Sequence, residues 1–222
     1  MDAGGYTQDE IRDNLADLRS YNAWLGGTRL VVRSVGKILA RHRHPARLTL
    51  VDVATGSADI PAALARWCQR NIGGAALVAG LDANPDVLRE ASRYRISGVA
   101  LVQADALNLP YAAGAVDVAF CSNFLHHLDT AGAVEVLREM RRVSRRGLVA
   151  VDLIRSRLSL AAVWLLTRLT SFNRVTRNDG PVSVRRAFTP AELKDLARKA
   201  GLDGAVVRRA GLARMVLTWE AA

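Results

Sequence analysis

Three carboxylates, one small-residue turn and a pair of histidines are the parts of this chain best suited to chemistry. Asp52, Asp82 and Asp105 stand near the ends of three short β-rich runs, and Ala54-Thr-Gly-Ser-Ala58 follows the first run. In an open α/β sheet, ligands bind beyond the carboxyl ends of the strands, at the switch point of strand order. A turn of small residues lets the backbone approach a ligand closely, and Gly56 is the position there that freely takes a positive φ. A carboxylate has two oxygens and about four lone-pair sites, so Asp82 can accept both hydroxyls of a ribose. Asp105 can accept from an exocyclic adenine amino group. Asp52 has two readings, a ligand-side carboxylate or a brace for the turn. Three strand-end acids beside such a turn point to a nucleoside ligand. His126 and His127 follow the fourth β-rich run, where a histidine, titrating near neutrality, could take a proton from a phenol. Neighbouring residues point in different directions, so one of the two at most is the base, with His126 the first choice. The alternative is that both are structural.

The elements that must position these residues alternate short strands with helical patterns, which predicts a parallel sheet with crossover helices. Thr7 to Glu10 reads as a capping box, stapled by Tyr6 and Ile11, opening a helix to about Ser20. A second helix is expected from Ala23 to Ala40, interrupted near Gly26-Gly27. Strands are expected at Leu48–Val53, Ala76–Leu81, Val99–Val102, Val116–Cys121 and Leu148–Leu153. Helices are expected at Asp59–Arg70, after Asn84-Pro85, and from Asp129 or Thr130 to Ser144. Leu158–Thr170 is an apolar helical segment. Asn173–Val184 is polar and holds Asn178-Asp-Gly-Pro181, which reads as a mobile loop. Thr189-Pro-Ala-Glu192 is a second capping box, and its helix ends at Gly201. Ala205–Arg209 and Ala213–Trp219 read as a hairpin. There is no internal repeat and no linker. The chain reads as one domain over 1–222: a helical cap (1–44), a ligand-binding half (45–153), a lid insertion (154–188) and a C-terminal helix with hairpin (189–222).

Composition narrows the class. The 222 residues are 50% hydrophobic and 23% charged, enough apolar surface to exclude global disorder. Cys68 and Cys121 lie 53 positions apart, which is neither a disulfide framework nor a zinc spacing, so buried thiols and no metal are expected. The start has neither the basic patch nor the apolar run of a signal peptide. The greasiest run, Leu158 to Leu166, is nine residues long against the roughly 20 of a membrane span, so a cytoplasmic protein is expected. The net charge is +10, but 28 of the 31 basic residues are arginines in an alanine-rich chain. A GC-rich genome writes that pairing by codon bias, so the charge alone does not imply nucleic acid. Arg138, Arg141, Arg142, Arg145 and Arg146 form the best cluster, read as a solvated helix terminus. His42 and His44 flank Arg43 near another helix end, where a cationic role suffices.

Five stretches resemble one known family: Val51-Asp-Val-Ala-Thr-Gly-Ser-Ala-Asp-Ile60, Leu81-Asp-Ala-Asn-Pro85, Asp105-Ala-Leu-Asn-Leu-Pro110, Val116 to Leu128, and Leu137-Arg-Glu-Met-Arg-Arg-Val143. In order and spacing they resemble the S-adenosylmethionine-dependent methyltransferases of the Rossmann-like class, in the small-molecule branch near the quinone C-methyltransferases. The resemblance runs from about Leu48 to Leu153, with Phe188 to Leu202 beyond. It implies a seven-stranded, mostly parallel α/β sheet with helices on both faces, a C-terminal antiparallel hairpin and helical additions forming a lid. It also implies S-adenosylmethionine as cofactor. Ala54, Thr55 and Gly56 would wrap the methionine end, Asp82 would hold the ribose and Ala83 pack on the adenine. Asp105 and Ala106 would read the adenine edge, and Ser122 would present a carbonyl to the methionine amino group. The family loop usually carries three glycines, whereas Ala54 and Ala58 flank Gly56 here.

The acceptor pocket must come from outside the nucleotide half. Tyr21, Asn22, Trp24 and Arg29 are candidates, with Trp24, Trp164, Leu165 and Phe172 forming an apolar lid. Such a lid favours an aromatic or polyketide-type acceptor, of the kind met in secondary metabolism, methylated at a hydroxyl oxygen. C-methylation of a quinone-like ring is the alternative. A nicotinamide enzyme would need Gly-x-Gly-x-x-Gly, and Ala54, Gly56 and Asp59 break that pattern. An RNA methyltransferase is a further rival, disfavoured by an aromatic content of 5% and no accessory RNA domain. The oligomeric state is open, a homodimer included.

Overall fold

The computed structural model describes residues 7–42, 47–72, 75–94, 98–171 and 173–221. Seven strands form one sheet: β1 (Arg47–Val53), β2 (Ala75–Asp82), β3 (Val99–Gln103), β4 (Val116–Ser122), β5 (Ser144–Leu153), β6 (Val206–Ala210) and β7 (Arg214–Glu220). Their order is β3-β2-β1-β4-β5-β7-β6, parallel except for β7, which runs antiparallel to both neighbours. Strand order therefore reverses between β1 and β4, which is where a ligand crevice belongs. Among the described residues the α-helices are α1 (Gln8–Trp24), α2 (Gly27–Ala40), α3 (Asp59–Asn71), α4 (Pro85–Arg93), α5 (Thr130–Val143), α6 (Arg157–Thr170), α7 (Arg174–Arg186) and α8 (Pro190–Lys199).

The central strands are apolar on both faces, as parallel strands covered twice must be. Leu48 and Leu50 of β1, Val118 and Phe120 of β4, and Val149 and Val151 of β5 face a core shared with Val31 and Val35 of α2 and Leu64 of α3. The alternate residues, Val51, Val53, Ala119, Cys121, Leu148 and Ala150, face a second core closed by Leu137 and Met140 of α5 and Leu193 and Leu196 of α8. Both capping boxes form, at Thr7 with Glu10 and at Thr189 with Glu192. Asn84 caps α4 and Asp129 caps α5. Tyr6, Arg43 and His44 lie outside the described residues.

Three expectations are corrected. The interrupted helix from Ala23 is two helices, with Gly26 at φ 75° as N-cap of the second. The loop expected over Asn173–Val184 is α7. Its cap is Asn173, whose side chain accepts from the backbone of Val175 and Thr176, and Val175, Thr176, Pro181 and Val184 are buried. Gly180 is there for close packing, since a Cβ on it would stand 2.9 Å from Thr167 of α6. Finally, Arg145 and Arg146 belong to β5 and both pair with the fully buried Asp117 of β4. Arg138 and Arg142 pair with Glu135 and Glu139, so most of the arginine cluster is neutralised within the molecule. No helix among the described residues is long and apolar enough to cross a membrane.

Candidate active site

The site begins at the end of β1. Ala54, Gly56 and Ala58 all take left-handed backbone conformations, at φ 59°, 54° and 53°. Two alanines thus hold a conformation that costs a non-glycine residue about 1–2 kcal/mol. Neighbours over-determine it. Thr55 donates its N–H to the Leu81 carbonyl (2.7 Å) and its hydroxyl to Asp52 Oδ2 (2.9 Å). Gly80 of β2 leaves room for this, because a Cβ there would stand 2.6 Å from Thr55 Oγ1. Asp52 therefore braces the turn, one of its two expected roles. Asp82, at the end of β2, accepts Gly56 N–H on Oδ2 (3.1 Å) and Asn84 N–H on Oδ1 (3.0 Å). Each oxygen keeps acceptor capacity.

Burial pushes the carboxyls of Asp52, Asp59 and Asp82 above the ordinary carboxylate range, Asp52 furthest. The Thr55 hydroxyl opposes the rise at Asp52, while the charges of Asp59 and Asp82 add to it. Three acids held with their ionisation disfavoured form a pocket suited to a cation, whose charge would relieve them.

Six buried side-chain polar atoms have no hydrogen-bond partner among the described residues, and five belong to this region. They are Arg19 Nη1, Asp52 Oδ1, Ser122 Oγ, Asn123 Oδ1 and Arg214 Nη1; the sixth is His42 Nε2, just beyond the far end of α2. Three of these residues, Asn123, Arg19 and Arg214, converge on Asp59. Asn123 Nδ2 donates to Asn22 Oδ1 (3.1 Å), Asn22 Nδ2 to Asp59 Oδ2 (3.4 Å), and both Arg19 and Arg214 lie within electrostatic reach of Asp59. Native proteins leave few buried polar groups unpaired, so a cluster of them marks a surface made for a polar ligand. α1 lies across it: a Cβ on Gly56 would meet Leu15 Cδ2 at 3.8 Å.

The histidines diverge. A 3-10 turn, Leu125–His127, follows β4. His126 is buried, and its Nδ1 stands 2.6 Å from Asp152 Oδ1 while its N–H donates to Asp152 Oδ2 (3.1 Å). His127 is exposed, its ring 4.3 Å from that of His126. Asp152 was missed in the sequence, although it is a fourth acid at a strand end. Asn22 was foreseen only as an acceptor contact; Arg19, Asp59, Asn123 and Arg214 were not foreseen at all.

The remaining candidates are spread. Asp105 is exposed and accepts Leu107 N–H on Oδ1 (2.9 Å), which is a turn brace with one oxygen to spare. Ala83 is exposed beside Asp82 and Ala106 is half-buried beyond β3. Ser122 ends β4. The expected apolar chamber is not built from the expected aromatics. Trp24 is 88% exposed and Trp164 49%, both on the outside of their helices, and Phe172 lies outside the described residues. The reason is the polarity of α6, which buries Ser159 and Thr167 and turns Leu158, Leu165 and Leu169 outward. The described residues hold no cluster of side chains suited to a metal.

This turn, these strand-end acids and this strand order put a ligand crevice over the ends of β1, β2 and β4. Residues 50–147 match the family model of a methyltransferase domain. The matched residues are similar to a methyltransferase domain and span less than half of the chain. Solved structures share the fold. A SAM-dependent methyltransferase from Aquifex aeolicus is 16% identical, with 84% of this chain and 89% of that one covered, at a TM-score of 0.57. The magnesium protoporphyrin IX methyltransferase of Synechocystis, with bound S-adenosylhomocysteine, is 18% identical over 89% of this chain and 84% of its own, at 0.60. Human N-acetylserotonin methyltransferase in complex with S-adenosylmethionine is 14% identical over 97% of this chain and 57% of its own, at 0.64. No curated protein matches the chain in sequence.

Proposed function

We propose that the chain methylates a small aromatic or polyketide-type acceptor at a hydroxyl oxygen, with His126 as the general base. S-adenosylmethionine, when bound, supplies a methyl group already activated on a sulfonium sulfur. The orphaned polar atoms of Asp52, Ser122 and Asn123 and the cation-suited acids of the cleft fit that donor. Asp82 would take the ribose hydroxyls, Ala54 to Gly56 and Ser122 would line the methionine end, and Ala83, Asp105 and Ala106 would border the adenine.

The observation that carries the reading of a base is the His126–Asp152 pair. A carboxylate 2.6 Å from Nδ1 fixes that nitrogen as the donor, which leaves Nε2 to accept a proton. A hydroxyl attacking the methyl carbon must lose its proton, and a positioned base contributes about 10²–10⁴-fold. The new bond is carbon–oxygen, the carbon–sulfur pair returns to sulfur, and the proton goes to His126. Asp152 steadies the resulting imidazolium. C-methylation of a quinone-like ring would use the same base to take a ring proton. RNA is disfavoured because Arg138, Arg142, Arg145 and Arg146 are already paired.

The test is a panel of phenols and hydroquinones with labelled methyl donor, the product mapped for O- or C-methyl. Asp152→Asn and His126→Asn should each slow turnover by about 10²–10⁴-fold with donor affinity kept, and His127→Asn should not. Unslowed turnover in His126→Asn would remove the base from this account.

A further inference from the structure

Arg214, the first residue of β7, is 8% exposed, yet its Nη1 has no hydrogen-bond partner among the described residues. Its carboxylate neighbours are committed elsewhere. Asp152 holds His126, and Asp59 accepts from Ser57 Oγ (2.7 Å), Asn22 and Thr28. Burial pulls the Arg214 guanidinium below its ordinary value, with Asp152 and Asp59 opposing. A buried charge short of partners is costly, so its retention points to a ligand.

The guanidinium also sits at the wrong end of a helix. A Cβ on Gly27, the first residue of the 14-residue α2, would stand 2.1 Å from Arg214 Nη1. The N-terminus of a helix carries the positive end of its dipole and repels a cation. That terminus has no side-chain cap on Gly26 and no acid in its first turn. Free N–H groups and a buried guanidinium at one point are the two halves of a carboxylate site.

We infer that Arg214 and the first turn of α2 bind a carboxylate carried by the acceptor, which narrows the acceptor to an aromatic acid. The inference rests on the methyltransferase reading of the same cleft. The place favours the acceptor over the donor. β7 stands beyond β5, whereas the turns assigned to the donor stand over β1, β2 and β4. The donor has one carboxylate, and Arg19 of α1, with its own orphaned Nη1, lies on the α4 side of the cleft, over Tyr94.

The experiment is calorimetry of 4-hydroxybenzoate and 4-hydroxybenzamide on protein saturated with S-adenosylhomocysteine, for the wild type and Arg214→Met. The wild type should bind the acid at least tenfold tighter than the amide. Arg214→Met should level the two, keep S-adenosylhomocysteine affinity within threefold, and raise the melting temperature of the unliganded protein, since a buried charge short of partners is gone. Equal or absent binding of acid and amide by the wild type overturns the inference. So does a tenfold loss of S-adenosylhomocysteine affinity in Arg214→Met, which would assign the guanidinium to the donor. A lower melting temperature, or failure to fold, would make Arg214 a structural partner of Asp59 and Asp152. Failure of the wild type to bind S-adenosylhomocysteine, with acid preference intact, would remove the donor reading and leave the anion site standing.

Discussion

Asp82→Asn separates the ribose contact from the fold. In the structure, Asp82 receives backbone N–H groups from Gly56 at 3.1 Å and Asn84 at 3.0 Å. Alanine would leave both bare. Asparagine keeps one carbonyl oxygen and turns an amide N–H toward the other donor, so one such bond is lost. A hydrogen bond to a charged group contributes about 1.5–3 kcal/mol. Burial holds the carboxyl of Asp82 above its ordinary range, which disfavours the charged form and moves the stability cost toward the lower figure. For a chain of this length about 1.5 kcal/mol corresponds to a fall of about 3–6 °C in melting temperature. The ribose hydroxyls lose the second charged oxygen, which again costs about 1.5–3 kcal/mol and raises the Kd for S-adenosylhomocysteine by about ten- to hundredfold. Calorimetry at 15 °C, where the variant stays folded, reads the contact alone. A Kd within twofold of wild type would show that Asp82 shapes the turn and does not hold the ribose.

Ala54→Gly should raise the melting temperature by about 1–4 °C, because about 1–2 kcal/mol of left-handed strain is relieved against about 0.5–1 kcal/mol of added chain entropy; a fall would mean that the turn is unstrained. Asp52, Asp59 and Asp82 have folded pKa values above those of the unfolded chain, so folding takes up protons, and the stability this gives is complete below about pH 4 and is lost as the pH rises through the raised values. The unliganded protein should therefore melt lower as the pH rises above about 4, and Asp52→Asn should flatten that slope in a calorimetric series. Binding of S-adenosylmethionine, with its extra positive charge, should gain on S-adenosylhomocysteine over the same interval, and a constant ratio of the two affinities would contradict the cation-suited pocket. Asp117→Ala leaves Arg145 and Arg146 of β5 without their buried partner and should cost about 3–5 kcal/mol of stability by denaturant unfolding, with donor affinity unchanged.

The turn after β1 and the acid that ends β2 were legible in the sequence because they are local. Ala54 to Ala58, Asp82 and Asn84 lie within two strand–turn–helix units, and small residues, caps and strand ends are written in consecutive positions. The left-handed backbone of Ala54 and Ala58 was not legible, because a positive φ is expected of glycine and only Gly56 is one. The histidine pair and the polar cluster were not legible, because distant pairings build them. The His126–Asp152 pair spans 26 positions and Asn22 to Asn123 spans 101, and neither separation leaves a pattern in the chain. Arg214 was invisible among 28 arginines. Asn178-Asp-Gly-Pro181 misled for a physical reason: Gly and Pro break isolated helices, but burial of Val175 and Val184 and the close seat of Gly180 on Thr167 outweigh that preference. The aromatics Trp24 and Trp164 were taken for a lining on their apolar character, and exposure cannot be read from residue type.

The most direct measurement is a crystal structure of the protein with S-adenosylhomocysteine. The account predicts the ligand over β1, β2 and β4, with both ribose hydroxyls on Asp82, the methionine end against Ala54 to Gly56, and the sulfur toward His126. A ligand bound elsewhere, or a protein that crystallises without it at saturating concentration, would contradict the account.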